Sequence, residues 1–170
     1  MMRMSRLFAA TLLATTASAA GAADLTLNVE IPNLPVAEYH RPYVAIWVED
    51  GTQAIAAHLA LWYQVRGDHT KWLPDLRQWW RRGGRDVKVP VDGLTGATRP
   101  AGQHILKFDA AAEPLSKLKP GKYELVVEAV REVGGREAVR IPFEWPIKAA
   151  QKGAAQGKTE LGAVALTLNP

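Results

Sequence analysis

The 170-residue chain has no cysteine, which excludes disulfides, iron–sulfur clusters, c-type haem attachment, blue-copper sites and thiolate catalysis. Its three methionines are Met1, Met2 and Met4, so the rest of the chain offers no sulfur ligand to copper or haem iron. Serine is nearly missing too: beyond residue 23 only Ser116 occurs, and no Gly-x-Ser-x-Gly, His-Glu-x-x-His or phosphate-loop pattern is present. His40, His58, His69 and His104 are scattered, and no two of them stand at i, i+2 or i, i+4 beside a carboxylate, so their spacing supports no metal site. Convergence of His40 and His104 as haem ligands is left to the fold. The acidic residues are dispersed and suggest no acid–base pair. The sequence therefore nominates no catalytic residue and no metal ligand. An excess of one charge is missing as well. The formal charge is +4, but dropping Arg3 and Arg6 leaves 19 basic residues against 17 acidic ones, which gives little support for nucleic-acid binding.

What is present begins with an export signal. Arg3 and Arg6 precede the apolar run Leu7–Ala14 and the small-residue stretch Ala17–Ala23, the three-part pattern of a cleaved secretory peptide over residues 1–23. No later window approaches the roughly 20 apolar residues of a transmembrane helix. The expectation is a periplasmic chain that does not span a membrane, with residues 24–170 as a single domain.

That domain reads as strands. Leu25, Leu27, Val29 and Ile31 alternate with polar residues, the two-residue period of a half-buried strand. Tyr43–Glu49 and Leu59–Val65 are rich in aromatic and branched residues and flank an Asp50-Gly51 turn signal. Further strands are expected at Asp86–Val91, His104–Asp109, Tyr123–Glu132, Glu137–Trp145 and Ala163–Leu168, with Gly134-Gly135 as a hairpin turn. The polar stretch Gln151–Lys158 lacks apolar residues to pack and is expected to be a flexible loop. Many short strands and little helix predict an all-β, immunoglobulin- or fibronectin-like antiparallel sandwich with one short helix. That helix falls at Trp72–Arg82, where Trp72, Leu76, Trp79 and Trp80 share a helical face. It either caps the sandwich or forms an aromatic and cationic platform with Arg77, Arg81, Arg82 and Arg85.

One short motif bears on chemistry. Asp92-Gly93-Leu94-Thr95-Gly96-Ala97-Thr98, followed by Arg99, resembles the D-x-x-[S/T]-G-A-[S/T] signature of proteins that accept covalent FMN from a periplasmic flavin transferase. Gly96 and Ala97 leave room for a transferase to close on the backbone. Asp92 and Thr95 are residue types that shape turns. The resemblance implies that Thr98 is joined through its hydroxyl to the FMN phosphate. It implies too that Asp92, Thr95, Gly96 and Ala97 are read by the transferase, and that Arg99 neutralises the phosphodiester. Threonine is a poor nucleophile, so activation falls to the transferase and its metal.

Four segments, Tyr39–Ala45, Lys71–Arg82, Thr95–Arg99 and Gly121–Glu132, are together similar to a family of predicted periplasmic proteins of unknown function. That family accompanies flavin transferases and PepSY-type membrane redox proteins. The resemblance implies an electron carrier in extracytoplasmic electron transfer rather than an enzyme with its own substrate. The alternative is a non-redox binding or assembly module that uses the Trp and Arg surface.

Overall fold

The computed structural model describes residues 23–170, so all but the last residue of the expected export signal lies outside them. Among the described residues the strands are β1 (Asp24–Ile31), β2 (Tyr43–Glu49), β3 (Ile55–Tyr63), β4 (Thr95–Ala97), β5 (Gly102–Asp109), β6 (Gly121–Val130), β7 (Arg136–Trp145), β8 (Gln151–Gln156) and β9 (Ala163–Asn169). The α-helix is α1 (Arg77–Arg82), preceded by a 3-10 turn at Thr70–Asp75. The strands form two sheets, in the orders β5-β1-β9-β8 and β4-β3-β2-β6-β7. The first sheet is antiparallel throughout. The second is antiparallel except that β4 runs parallel to β3. This is the expected all-β sandwich.

The period-two pattern of β1 sends Leu25, Leu27, Val29 and Ile31 inward. There they meet Val164, Leu166 and Leu168 of β9 and the inner faces of β2, β3, β6 and β7. The first and last strands pair directly, Leu27 opposite Leu166. The second sheet is covered on both faces. Ala45, Trp47, Leu61, Tyr63 and Val126 point away from the sandwich interior and are buried under Leu73, Leu76 and Trp79. Strands buried on both faces read as continuous apolar runs rather than alternations, which is why β2 and β3 are aromatic and branched along their length.

The helical segment is shorter and more divided than its periodicity suggests. Leu76 and Trp79 are buried and Trp80 is half-buried, whereas Trp72 sits in the separate 3-10 turn and is 48% exposed. Leu76 precedes the first turn of α1 and offers no side-chain cap. The buried Glu128 of β6 takes that role, accepting bonds from the Gln78 and Trp79 amides at 3.1 and 2.9 Å.

Three local expectations are corrected. Gln151–Gln156 is an edge strand rather than a flexible loop, paired with β9. Its inward positions include Gly153 and Ala155, so the period-two pattern carries no hydropathy signal. A Cβ on Gly153 would fall 2.3 Å from Ile141 Cγ2, and glycine there lets the backbone approach β7. Asp86–Val91 forms no strand: Val87 and Val89 pack into the outer apolar cluster from an irregular segment, and Pro90 has no amide for a ladder. The third strand begins at Ile55 and ends at Tyr63. Asp50 closes a tight turn before it, accepting from the Thr52 and Ala54 amides at 2.8 and 3.2 Å.

Candidate functional site

At one end of the second sheet the strand ends line up across five positions. Ala97 lies opposite Tyr63, Tyr63 packs edge-on to Tyr43, Tyr43 pairs with Val130, and Val130 pairs with Arg136. Beyond this row lies a cavity of about 710 Å³, a size that suits a drug-sized ligand or cofactor. The chain before β2 supplies Tyr39, His40 and Arg41. The 3-10 turn and the start of α1 supply Trp72, Asp75 and Arg77, and the end of β4 supplies Thr98. The β6–β7 hairpin closes the cavity with Arg131 and Arg136. The four segments that carry the family resemblance, separated in sequence, each contribute to this wall.

Four arginines against Asp75 and Glu132 make the lining cationic. His40 is held between Glu38 and Glu132, at 2.9 and 3.7 Å. Arg131 is 7% exposed and paired through two bonds, 2.9 and 3.1 Å, with Glu160, itself 4% exposed. Gly134-Gly135, the expected hairpin turn, makes room for this pair. A Cβ on Gly134 would lie 2.5 Å from Arg131 Cζ, and one on Gly135 would lie 2.9 Å from Glu160 Oε1. The Gly135 amide adds a third bond to Glu160, at 2.7 Å.

Two polar atoms here have no hydrogen-bond partner among the described residues: Nη1 of Arg131 and the hydroxyl of Tyr39. A buried donor left unmet costs about 1–3 kcal/mol, and both atoms are closed off from the accessible space of the cavity. Burial, only partly offset by Arg131, raises the Tyr39 pKa, so its hydroxyl keeps its proton and can donate. A third such atom, Asn28 Oδ1, lies on β1 and does not line this cavity.

The acceptor-like loop is well defined. Thr95 Oγ1 donates to the Val91 carbonyl at 2.9 Å and accepts from the Val91 amide at 3.1 Å, which closes the turn over Asp92 and Gly93. Gly93 has φ +74°, a left-handed value that glycine adopts without steric cost. The Leu94 carbonyl accepts from the Leu61 amide at 2.8 Å, and the Thr98 amide donates to the Tyr63 carbonyl at 3.2 Å. The motif is thus partly strand, β4, at the edge of its sheet. Asp92, Gly93, Ala97 and Arg99 are exposed, Thr95 and Gly96 are half-buried, and half-buried Thr98 lines the cavity.

The remaining expected residues scatter. Arg99 lies over the Trp62 ring, 5.4 Å from its centre, rather than in the cavity wall. His104 packs edge-on to the same ring and bonds the Pro100 carbonyl at 2.8 Å, so His40 and His104 are engaged separately. Trp79 donates from Nε1 to His58 Nδ1 at 3.1 Å beneath α1; of the tryptophans on the expected helical face, Trp72 lines the cavity. Arg131, Tyr39 and Glu160 had no individual role in the sequence reading. The signal available for Arg131 was a cation closing an apolar strand just before a double glycine. Glu160 had none, because its partner stands 29 residues away.

Fold and site together define a class: a two-sheet β-sandwich with a cationic cavity at the end of one sheet. The chain belongs to the family of predicted periplasmic proteins called DUF2271, whose sequence pattern matches residues 24–163. It is a periplasmic protein, and among the described residues no helix is long and apolar enough to cross a membrane. No curated protein and no solved structure matches the chain.

Proposed function

We propose that this protein is an electron carrier with FMN esterified to Thr98, loaded by a periplasmic flavin transferase and serving a PepSY-type membrane redox protein. The observation that carries the reading is the position of Thr98. It directly follows the edge strand β4, its neighbours Asp92, Gly93, Ala97 and Arg99 are exposed to an approaching transferase, and it borders the cationic cavity. Arg41 and Arg77 in the wall suit a phosphodiester, because guanidinium groups match phosphate oxygens in charge and geometry. The cavity volume of about 710 Å³ suits a group of the size of FMN. In the loading step the Thr98 hydroxyl loses its proton and bonds to phosphorus, and the bond from phosphorus to the leaving group of the transferase's activated flavin donor breaks. Bound there, FMN supplies one- and two-electron exchange. A covalent link keeps it in place outside the inner membrane, where a dissociated cofactor is lost to dilution.

Coexpression with an active transferase, followed by denaturing electrophoresis and in-gel flavin fluorescence, tests the reading. The wild type and Thr98→Ser should fluoresce, and Thr98→Ala should be dark. A dark wild type beside a transferase active on a known acceptor overturns it. That result favours a second reading, a module for an acidic partner, which draws on a groove of about 380 Å³ lined by Arg77, Gln78, Arg81, Arg82 and Arg136.

A further inference from the structure

Resting on the electron-carrier reading for what the partner does, we infer that the arginine groove beside the cavity is the docking surface for an acidic segment of the carrier's redox partner. The groove holds about 380 Å³ and is lined by Arg77, Gln78, Arg81, Arg82 and Arg136, with no carboxylate in its wall. It shares Arg77 and Arg136 with the cavity that Thr98 borders, so a segment seated in it stands beside that cavity. The cavity also exposes apolar side chains. Trp72 and Val133 are exposed in its wall, and exposed Val65 follows Gln64 of the same wall. Exposed Trp and Arg close together are the residue types that protein interfaces favour.

The charges around the groove are sorted by depth. Glu49 and Glu128 are fully buried and hold the inner arginines: Glu49 pairs with Arg82 and, at 3.1 Å, with Arg140, and Glu128 lies 3.9 Å from Arg136. Arg77 and Arg81 are exposed, and among the described residues neither forms an ion pair with a carboxylate. Arg81 Nε donates to the Arg77 carbonyl at 3.1 Å, which leaves the outer nitrogens of Arg81 as free donors. Like charges at i, i+4 repel along a helix, and Arg77 and Arg81 stand so in α1, so helix stability gives no reason for the pair. A carboxylate-bearing segment relieves that repulsion and meets the forked donors two at a time. The groove is concave, which suits an inserted protein segment better than the plane of an anionic lipid surface.

The test uses full-length protein exported beside the transferase, with a dye-labelled oligoglutamate peptide as the probe and fluorescence anisotropy as the readout. The wild type should bind the peptide at low salt and release it as salt rises. Arg81→Glu should weaken binding about tenfold, because it sets a like charge against the peptide. Lys107→Glu makes the same charge change at an exposed position of β5, and it should leave binding within about twofold of the wild type. Thr98→Ala should bind as the wild type does, since Thr98 lies outside the groove. No binding at low salt, or equal losses in Arg81→Glu and Lys107→Glu, overturns the docking surface. So does sedimentation with phosphatidylglycerol vesicles that Arg81→Glu abolishes while the peptide stays unbound. Intact mass reports the flavin separately: a wild type that gains no mass overturns the carrier reading, and with it the redox role of the partner, whatever the peptide does.

Discussion

Glu137 shows how one carboxylate can order a loop that other residues depend on. Its two oxygens accept from the amides of Lys158, Thr159, Glu160 and Leu161 at 2.6 to 3.0 Å, and this fixes the segment that delivers Glu160 to Arg131. Burial pushes the Glu137 pKa up, but the four amide bonds together outweigh it and hold the group below its ordinary 4.5. A carboxylate with a depressed folded pKa gives stability that is complete above the unfolded value and lost as pH falls through the folded one. Glu137→Gln should therefore cost about 1–2 kcal/mol at neutral pH, the carboxylate being partly solvated, and should flatten the acid limb of a urea-denaturation series. His58 works with the opposite charge. Burial lowers its pKa from 6.5, and its Nδ1 accepts from Trp79, so the folded ring is neutral. The unfolded chain then binds more protons below 6.5, and stability falls as pH drops from 7 toward 5. Proton-resolved titration should place His58 below 6.5, and His58→Gln should remove that part of the pH dependence. A His58 pKa above 6.5 would contradict the assignment.

The turn and helix over Thr70–Arg82 cover the outer face of β2, β3 and β6, and their hold depends on a few contacts. Trp79 is buried between the sheet and Gly84, where a Cβ would fall 2.4 Å from the indole. Trp79→Ala should cost about 3–5 kcal/mol as a buried aromatic deletion. Gly153→Val should cost about 1–3 kcal/mol, because Ile141 cannot yield without repacking; equal urea midpoints for Gly153→Val and the wild type would refute the close approach of β8. The same elements show what a sequence exposes and hides. β1 declared itself by Leu25, Leu27, Val29 and Ile31, and β2 by its bounds at Tyr43 and Glu49, because side-chain burial wrote the pattern. β8 stayed hidden because Gly153 and Ala155 face inward without hydropathy, and its stability comes from pairing with β9. The Val87, Val89 and Val91 alternation misled because packing against the outer cluster imitates a strand without a ladder.

At the scale of the molecule, segments far apart in sequence meet at one end of one sheet. Tyr39–Arg41, Trp72–Arg77, Thr98 and the Arg131–Arg136 turn share a wall because the order β4-β3-β2-β6-β7 brings their strand ends side by side. The acceptor-like loop was legible, since its residue types are local and close in sequence. The cavity was not, since Arg131 and Glu160 become a pair only when β6 and the loop before β9 fold together. The central claim is that this wall houses a flavin anchored at Thr98. Intact mass and peptide mapping of the mature protein, exported in cells with an active periplasmic flavin transferase, test it most directly with Thr98→Ala alongside. The account predicts a gain of one FMN phosphoester on the peptide that contains Thr98 and no gain in the variant. An unmodified wild type, or a flavin mapped to another residue, would contradict it.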